Sequence, residues 1–192
     1  MSGVSVARPD RDEYLMSLAI DVAARCNCRK TVVGAIIVKD GRIASTGYNG
    51  TIRGFRDCID GGCPRCRDDT PSGTQLDRCI CVHAEQNALL AAARFGVGVE
   101  GAEVWVTTEP CLDCTKSLIQ ARVGKVIYWK EYPLAEESQQ LRAAMRRHAN
   151  EVTTFDRWRP GTDVLDLEGR YAATQQRLRD YIASRPPVVA IP

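Results

Sequence analysis

Four side chains in two places are equipped to do chemistry. His83-Ala84-Glu85 and Pro110-Cys111-Leu112-Asp113-Cys114 supply an imidazole, two thiols and a carboxylate. His83, Cys111 and Cys114 suit a zinc ion, and three protein ligands leave its fourth tetrahedral position open for water, which marks a catalytic site rather than a structural one. Two thiolates offset the zinc charge but leave the metal a Lewis acid, so its bound water ionises with a pKa lowered to about 7. The resulting hydroxide is a nucleophile for an electron-poor ring carbon that bears an amino group. Glu85 is not a ligand in this scheme. It takes a proton from the water, passes it to a ring nitrogen and then protonates the departing amine, which is general acid–base catalysis. The reaction written in these residues is the hydrolytic loss of ammonia from a ring.

The spacing says which elements must hold them. Cys111 and Cys114 lie at i and i+3 and share a face if a helix runs from 111 to about 120. Pro110 suits the entry to that helix, and its positive N-terminal end favours thiolates. His83 and Glu85, two apart, do not share a face in mid-helix. Both reach over the end of a helix that begins near 83 and runs to about Phe95. A lone Cys-x-x-Cys is often a structural clip or a redox pair, and a lone His-x-Glu arises by chance. Their combination, in this order and each opening a helix, is the H-x-E…P-C-x-x-C pattern of zinc-dependent nucleobase deaminases.

The remaining elements follow from periodicity. Residues 11–25 have helical spacing, with Tyr14, Leu15, Leu18, Ala19 and Val22 on one face. A buried strand over 32–39 turns at Asp40-Gly41 and returns through RIASTGYN. The stretch 50–80 is irregular and holds Cys58, Cys63, Cys66 and Cys79. Strands are expected at 103–107, 125–129 and 151–154, with helices near 134–148 and 167–183. Strands alternating with helices after a hairpin predict an α/β fold, a sheet covered by helices on both faces. Gly96-Val97-Gly98-Val99-Glu100-Gly101 matches G-x-G-x-x-G, but it follows a helix and precedes a strand, the reverse of a dinucleotide site. No nicotinamide or flavin is expected.

Composition narrows the class. The 192 residues carry a net charge of +2, without a basic run that would mark a nucleic-acid surface. No apolar stretch is long enough for a membrane, and the N-terminus lacks a signal-peptide core, so a cytoplasmic protein is expected. Nine cysteines in such a chain read as metal ligands rather than a disulfide framework. The second histidine, His148, lies in a charged run and reads as an exposed helix residue. Residues 1–154 are taken as the catalytic domain. Residues 155–192, ending near Arg185-Pro186-Pro187, carry no legible motif beyond one helix and read as part of the same domain or as an oligomer contact.

From about residue 11 to 132 the chain resembles the deoxycytidylate (dCMP) deaminases, including their bacterial late-competence branch. The residues that carry this are Val33-Gly34-Ala35, Gly47-Tyr48-Asn49-Gly50, Pro71-Ser72-Gly73, His83-Ala84-Glu85-Gln86-Asn87-Ala88, Ala92-Ala93-Arg94 and Thr107-Thr108-Glu109-Pro110-Cys111-Leu112-Asp113-Cys114. The resemblance implies a three-layer α/β/α cytidine deaminase-like fold with a central mixed sheet of about five strands. It also implies conversion of dCMP to dUMP, which feeds thymidylate synthesis. Asn49 is then a substrate contact, or else a turn residue. Arg29 and Lys30 are candidates for the phosphate, or else a solvated loop, and Tyr132 is a candidate to close over the nucleotide.

The resemblance further implies a second, closed zinc held by Cys28, Cys58, Cys63 and Cys79, with Cys66 and Cys81 competing for the same role and Cys26 a buried or free thiol. Four thiolates with no open position are structural. Tyr48, Gly50 and Arg94 fall where regulated relatives bind dCTP, with Mg²⁺, as activator and dTTP as inhibitor. Arg94 reads equally as an arginine favoured by a helix C-terminus. Ile52 stands where the regulatory loop usually has proline, which puts regulation in question. A homohexamer is the implied assembly. Two other readings stay open. One is a deaminase of a different base, in RNA, in a free nucleoside or in a modified dCMP. The other is a zinc-binding interaction module without activity, against which Glu85 argues.

Overall fold

The computed structural model describes residues 8–68, 70, 71, 74–161 and 164–185. Ser72 and Gly73, and Pro186 and Pro187 of the tail, lie outside the described residues. Helix α1 (Arg11–Ala23) starts at Asp10, whose side chain accepts the Glu13 N–H at 2.7 Å. Strands β1 (Gly34–Lys39) and β2 (Arg42–Tyr48) form a hairpin. Its two turn residues, Asp40 and Gly41, both have positive φ, as the tightest hairpin turn demands. Strand β3 (Gly50–Thr51) pairs with β4 (Cys81–Val82) in a small ribbon that spans the cysteine-rich stretch. Within that stretch are a 3₁₀ turn at Cys58–Asp60 and the short helix α2 (Pro64–Arg67). Helix α3 (Ala84–Arg94), strand β5 (Glu103–Thr108), helix α4 (Leu112–Gln120), strand β6 (Lys125–Lys130), helix α5 (Glu136–Ala149), strand β7 (Thr154–Arg157) and helix α6 (Leu167–Ala183) complete the chain.

The main sheet has the order β2-β1-β5-β6-β7. It is antiparallel across β2, β1 and β5 and parallel across β5, β6 and β7. The expected five-stranded mixed sheet is therefore present. Alternation sorts each strand between two cores. Ile36, Val38, Trp105, Ile127 and Trp129 face α1 and α6. Ala35, Ile37, Val104, Val106 and Val126 face α3 and α4, through Ala84, Ala88 and Leu118. Two glycines let helices lie directly on the sheet. A Cβ on Gly34 would meet the Ala19 carbonyl oxygen of α1 at 2.1 Å, and one on Gly47 would meet the Ala84 carbonyl oxygen of α3 at 2.1 Å.

The last strand begins at Thr154 rather than ending there, because α5 runs to Ala149 and β7 pairs Phe155 with Val126 of β6. A boundary drawn after residue 154 thus cuts the sheet. Helix α6 packs on the α1 face. The Tyr171 hydroxyl donates to the Val32 carbonyl at 2.7 Å, the Leu165 N–H donates to buried Glu13 at 2.6 Å, and Tyr171 packs against Trp129 with ring centroids 5.5 Å apart. No helix among the described residues is long and apolar enough to cross a membrane.

Candidate active site

The N-termini of α3 and α4 meet. His83 is the N-cap of α3 and Glu85 the second residue of that helix. Cys111 is the N-cap of α4 and Cys114 its third residue. Pro110 therefore stands before the cap, not within the first turn. The two cysteines meet because one caps the helix and the other reaches back over its first turn.

The geometry fits zinc. His83 Nδ1 lies 3.3 Å from Cys111 Sγ and 3.4 Å from Cys114 Sγ. Tetrahedral zinc with ordinary bond lengths would set these donors about 3.5 Å apart. All three ligand atoms lie within 4.8 Å of one another. Cys111 is drawn down to about 4, first by the Cys114 thiol that donates to it, and His83 is pushed up to about 9 by its bond to Cys111. Cys114 is pushed up in turn by Cys111. Three groups that compete so strongly for protons are groups a divalent cation would stabilise together. Glu85 is only 4% exposed, and its carboxyl is pushed up to about 7, chiefly by burial. That value suits a group that exchanges protons near neutral pH.

A small cavity opens above these residues. Thr31, Val33, Asn49, Glu85, Thr108 and Tyr132 form its walls, and His83 and Cys111 form its floor. Asn49 is thus at the pocket, but its amide is already engaged. Its Oδ1 accepts the Val33 N–H at 2.9 Å and its Nδ2 donates to the Thr31 carbonyl at 2.8 Å. Arg29 and Lys30 do not line the cavity. Lys30 donates to the Thr70 carbonyl and Arg29 to the Ile59 carbonyl at 3.5 Å, so both tie down the cysteine-rich stretch. One cation beside the cavity is Lys130, in a neighbouring recess that shares Thr31, Thr108 and Tyr132 with it; Lys130 is also paired with Glu168.

Glu109 is a residue that sequence reasoning left without a role. It is 7% exposed and lines the cavity. Its Oε2 accepts from Arg142 Nη2 at 2.8 Å and from the Tyr132 N–H at 3.2 Å, while Oε1 accepts from Arg146 Nη1 at 2.8 Å. Arg142 also donates to the Pro110 carbonyl, beside Cys111, at 3.3 Å. One carboxylate thereby fixes both the wall at Tyr132 and the approach to the thiols. Two arginines on one helix, four residues apart, were the available signal, but nothing local names their partner.

The other named residues are elsewhere. The Tyr48 carbonyl accepts from Asn87 Nδ2 at 2.7 Å, and Gly50 is buried in β3. Arg94 is exposed at the end of α3, with its guanidinium 5.4 Å from the Phe95 ring centre. His148 is exposed on α5. The six cysteines proposed or held as alternates for a second metal all come together. Sγ atoms of Cys28, Cys58 and Cys66 lie within 4.8 Å of one another, as do those of Cys58, Cys63 and Cys81. Cys63 and Cys79 are 4.0 Å apart. Within this group Cys28 and Cys79 are drawn down by neighbouring thiols, while Cys66 and Cys81 are pushed up, both chiefly by Cys28. Cys26 stands aside, buried and pushed up to about 12 by that burial.

Comparison with known proteins agrees with this geometry. The family described as the cytidine and deoxycytidylate deaminase zinc-binding region matches residues 9–130. The chain belongs to the cytidine and deoxycytidylate deaminase family. It is 45% identical over 131 residues to a Saccharomyces cerevisiae deoxycytidylate deaminase, a match that covers 68% of this chain and 41% of the yeast protein. This family member thus spans about two fifths of the length of that relative. ComE operon protein 2 of Bacillus subtilis is 41% identical over 129 residues, covering 66% of this chain and 64% of that protein, in line with the late-competence branch. A solved dCMP deaminase from cyanophage S-TIM5, in complex with dCMP and dUMP, superimposes with a TM-score of 0.60 at 30% identity. That match covers 79% of this chain and 99% of the other.

Proposed function

We propose that this chain hydrolyses dCMP to dUMP and ammonia. The observation that carries the reading is the meeting of His83 Nδ1, Cys111 Sγ and Cys114 Sγ on one point, with the buried Glu85 carboxyl lining the same small cavity as His83 and Cys111. His83, Cys111 and Cys114 would hold a zinc ion, which would supply a Lewis acid that makes water nucleophilic at neutral pH. Glu85 takes one proton from that water and delivers it to the ring nitrogen. It then takes the second proton from the oxygen now bonded to the ring carbon and passes it to the exocyclic amine, the carbon–nitrogen bond breaks, and water and dCMP become dUMP and ammonia. Burial holds Glu85 near the pKa that both transfers need. Asn49 braces Thr31 against Val33 and shapes the wall against which the base lies. Tyr132, whose N–H is held by Glu109, lines the same cavity. Lys130 replaces Arg29 and Lys30 as the cation for the phosphate, because it borders the shared recess.

The choice of dCMP rests on the relatives named above. The six-cysteine group is a structural zinc site in this reading. Assembly into a hexamer, and control by dCTP with Mg²⁺ and by dTTP, are the finer part of it. Exposed Leu90 and Phe95 flank Arg94 on α3 and offer apolar surface for a second copy. Ammonia release from dCMP, CMP, dCTP, deoxycytidine and hydroxymethylated dCMP tests the substrate. Glu85→Gln should retain zinc and lose activity by about 10² to 10⁴. Near-normal turnover in that variant would sink the mechanism.

A further inference from the structure

Six thiols in one cluster are two more than one tetrahedral metal uses. Their arrangement is not that of four ligands with two bystanders. Cys28, Cys58 and Cys66 form one close triad and Cys58, Cys63 and Cys81 another, with Cys58 common to both. Cys79 extends the second triad, 4.0 Å from Cys63. Cys28, Cys58, Cys66 and Cys79 are also neighbours of the Cys81 thiol. In a zinc–thiolate tetrahedron the sulfurs are about 3.8 Å apart. A tetrahedron of Cys28, Cys58, Cys66 and Cys81 leaves out Cys63 and Cys79, which lie 4.0 Å from each other. None of the six is in a disulfide.

Charge points the same way. One zinc with four thiolates carries a net charge of −2 and leaves two thiols buried beside it. Two zinc ions with six thiolates also carry −2. The second ion therefore converts the two remaining thiols to ligands without adding buried charge. Cys28, Cys58, Cys63 and Cys66 are all buried, so water cannot easily compensate leftover groups.

We propose that the cluster holds two zinc ions bridged by the thiolates of Cys58 and Cys81. Cys28 and Cys66 complete one tetrahedron and Cys63 and Cys79 the other. Binding releases the thiol protons to solvent, and each ion ends with four sulfur ligands. The pair of ions stitches four separate pieces into one body: the loop after α1, the 3₁₀ turn, α2 and the approach to β4. These pieces are short and have little apolar core of their own, so metal binding supplies the folding free energy that burial does not. The inference rests on the cluster being a zinc site, and not on the deaminase reading.

Native mass spectrometry of the full chain, prepared without chelator, should find three zinc ions, and two in Cys111→Ser. Each of Cys28→Ser, Cys66→Ser, Cys63→Ser and Cys79→Ser should lower the total. Two ions in the wild type, with two of the six thiols open to alkylation, would overturn the bridged pair. A total of one, lost in Cys111→Ser, would remove the cluster as a zinc site and leave the catalytic site standing. Should the serine variants fail to fold, cadmium exchange into the wild type decides the matter. A bridged pair gives two thiolate-coordinated cadmium resonances coupled to each other through sulfur, whereas a single uncoupled resonance in that range refutes it.

Discussion

Replacing Glu109 by glutamine tests whether the arm from α5 holds the active site in shape. The carboxylate has two buried cationic partners, Arg142 and Arg146, whose side chains are 9% and 16% exposed, and both contacts are 2.8 Å. Glutamine keeps the size and one acceptor oxygen. It removes the charge and turns an NH₂ group toward one guanidinium, donor against donor. Removing one partner of a buried pair costs about 3–5 kcal/mol, because the other charge is left uncompensated. Arg146 Nε and Nη2 have no hydrogen-bond partner, and the Phe155 ring 4.4 Å from its guanidinium does not replace a carboxylate. For a chain of this length the loss corresponds to a fall in Tm of roughly 6–20 °C. The Tyr132 N–H loses its carboxylate acceptor in the same step, and KM for dCMP should rise while catalytic zinc is retained. Urea unfolding, with m unchanged, reads the first effect and steady-state kinetics the second. A loss below about 1 kcal/mol, the range of exposed pairs, would show that this carboxylate does not organise the site.

Two further outcomes are expected. Gly47→Ala should lose about 1–3 kcal/mol and most of the activity, since its Cβ would strike the first turn of α3 just where Glu85 is set. Gly98→Ala, which meets nothing within 4 Å, is the control; equal effects from the two, by thermal melt and ammonia release, would refute the close-packing argument. Arg94→Ala should blunt activation by dCTP with Mg²⁺ and inhibition by dTTP without changing zinc content, because Arg94 is exposed and far from the metal ligands in its helix. Hyperbolic dCMP kinetics in the unsubstituted chain, indifferent to both triphosphates, would show that no such switch operates.

Local patterns determined much of this molecule. The unbroken apolar run in GAIIVK and the Asp40-Gly41 turn specify a hairpin, because strand propensity and turn dihedrals depend on neighbouring residues alone. The helix starts at His83 and Cys111 are likewise legible, and with them the metal-binding pattern, since spacing within one turn fixes which side chains converge. Partner choice across the fold is not written locally. Glu109 meets Arg142 and Arg146 only after α5 has returned along the sheet, and any of several charged residues would read the same in sequence. Lys30 and Arg29 look like free cations until the cysteine-rich stretch folds back to offer them carbonyls. The same holds for the sulfurs. The cysteines are marked as ligands by their number and by the family resemblance, but whether six of them make one group of four or two triads sharing Cys58 depends on the path of four separated segments. A few ångströms of loop decide that, and only the tertiary structure supplies them.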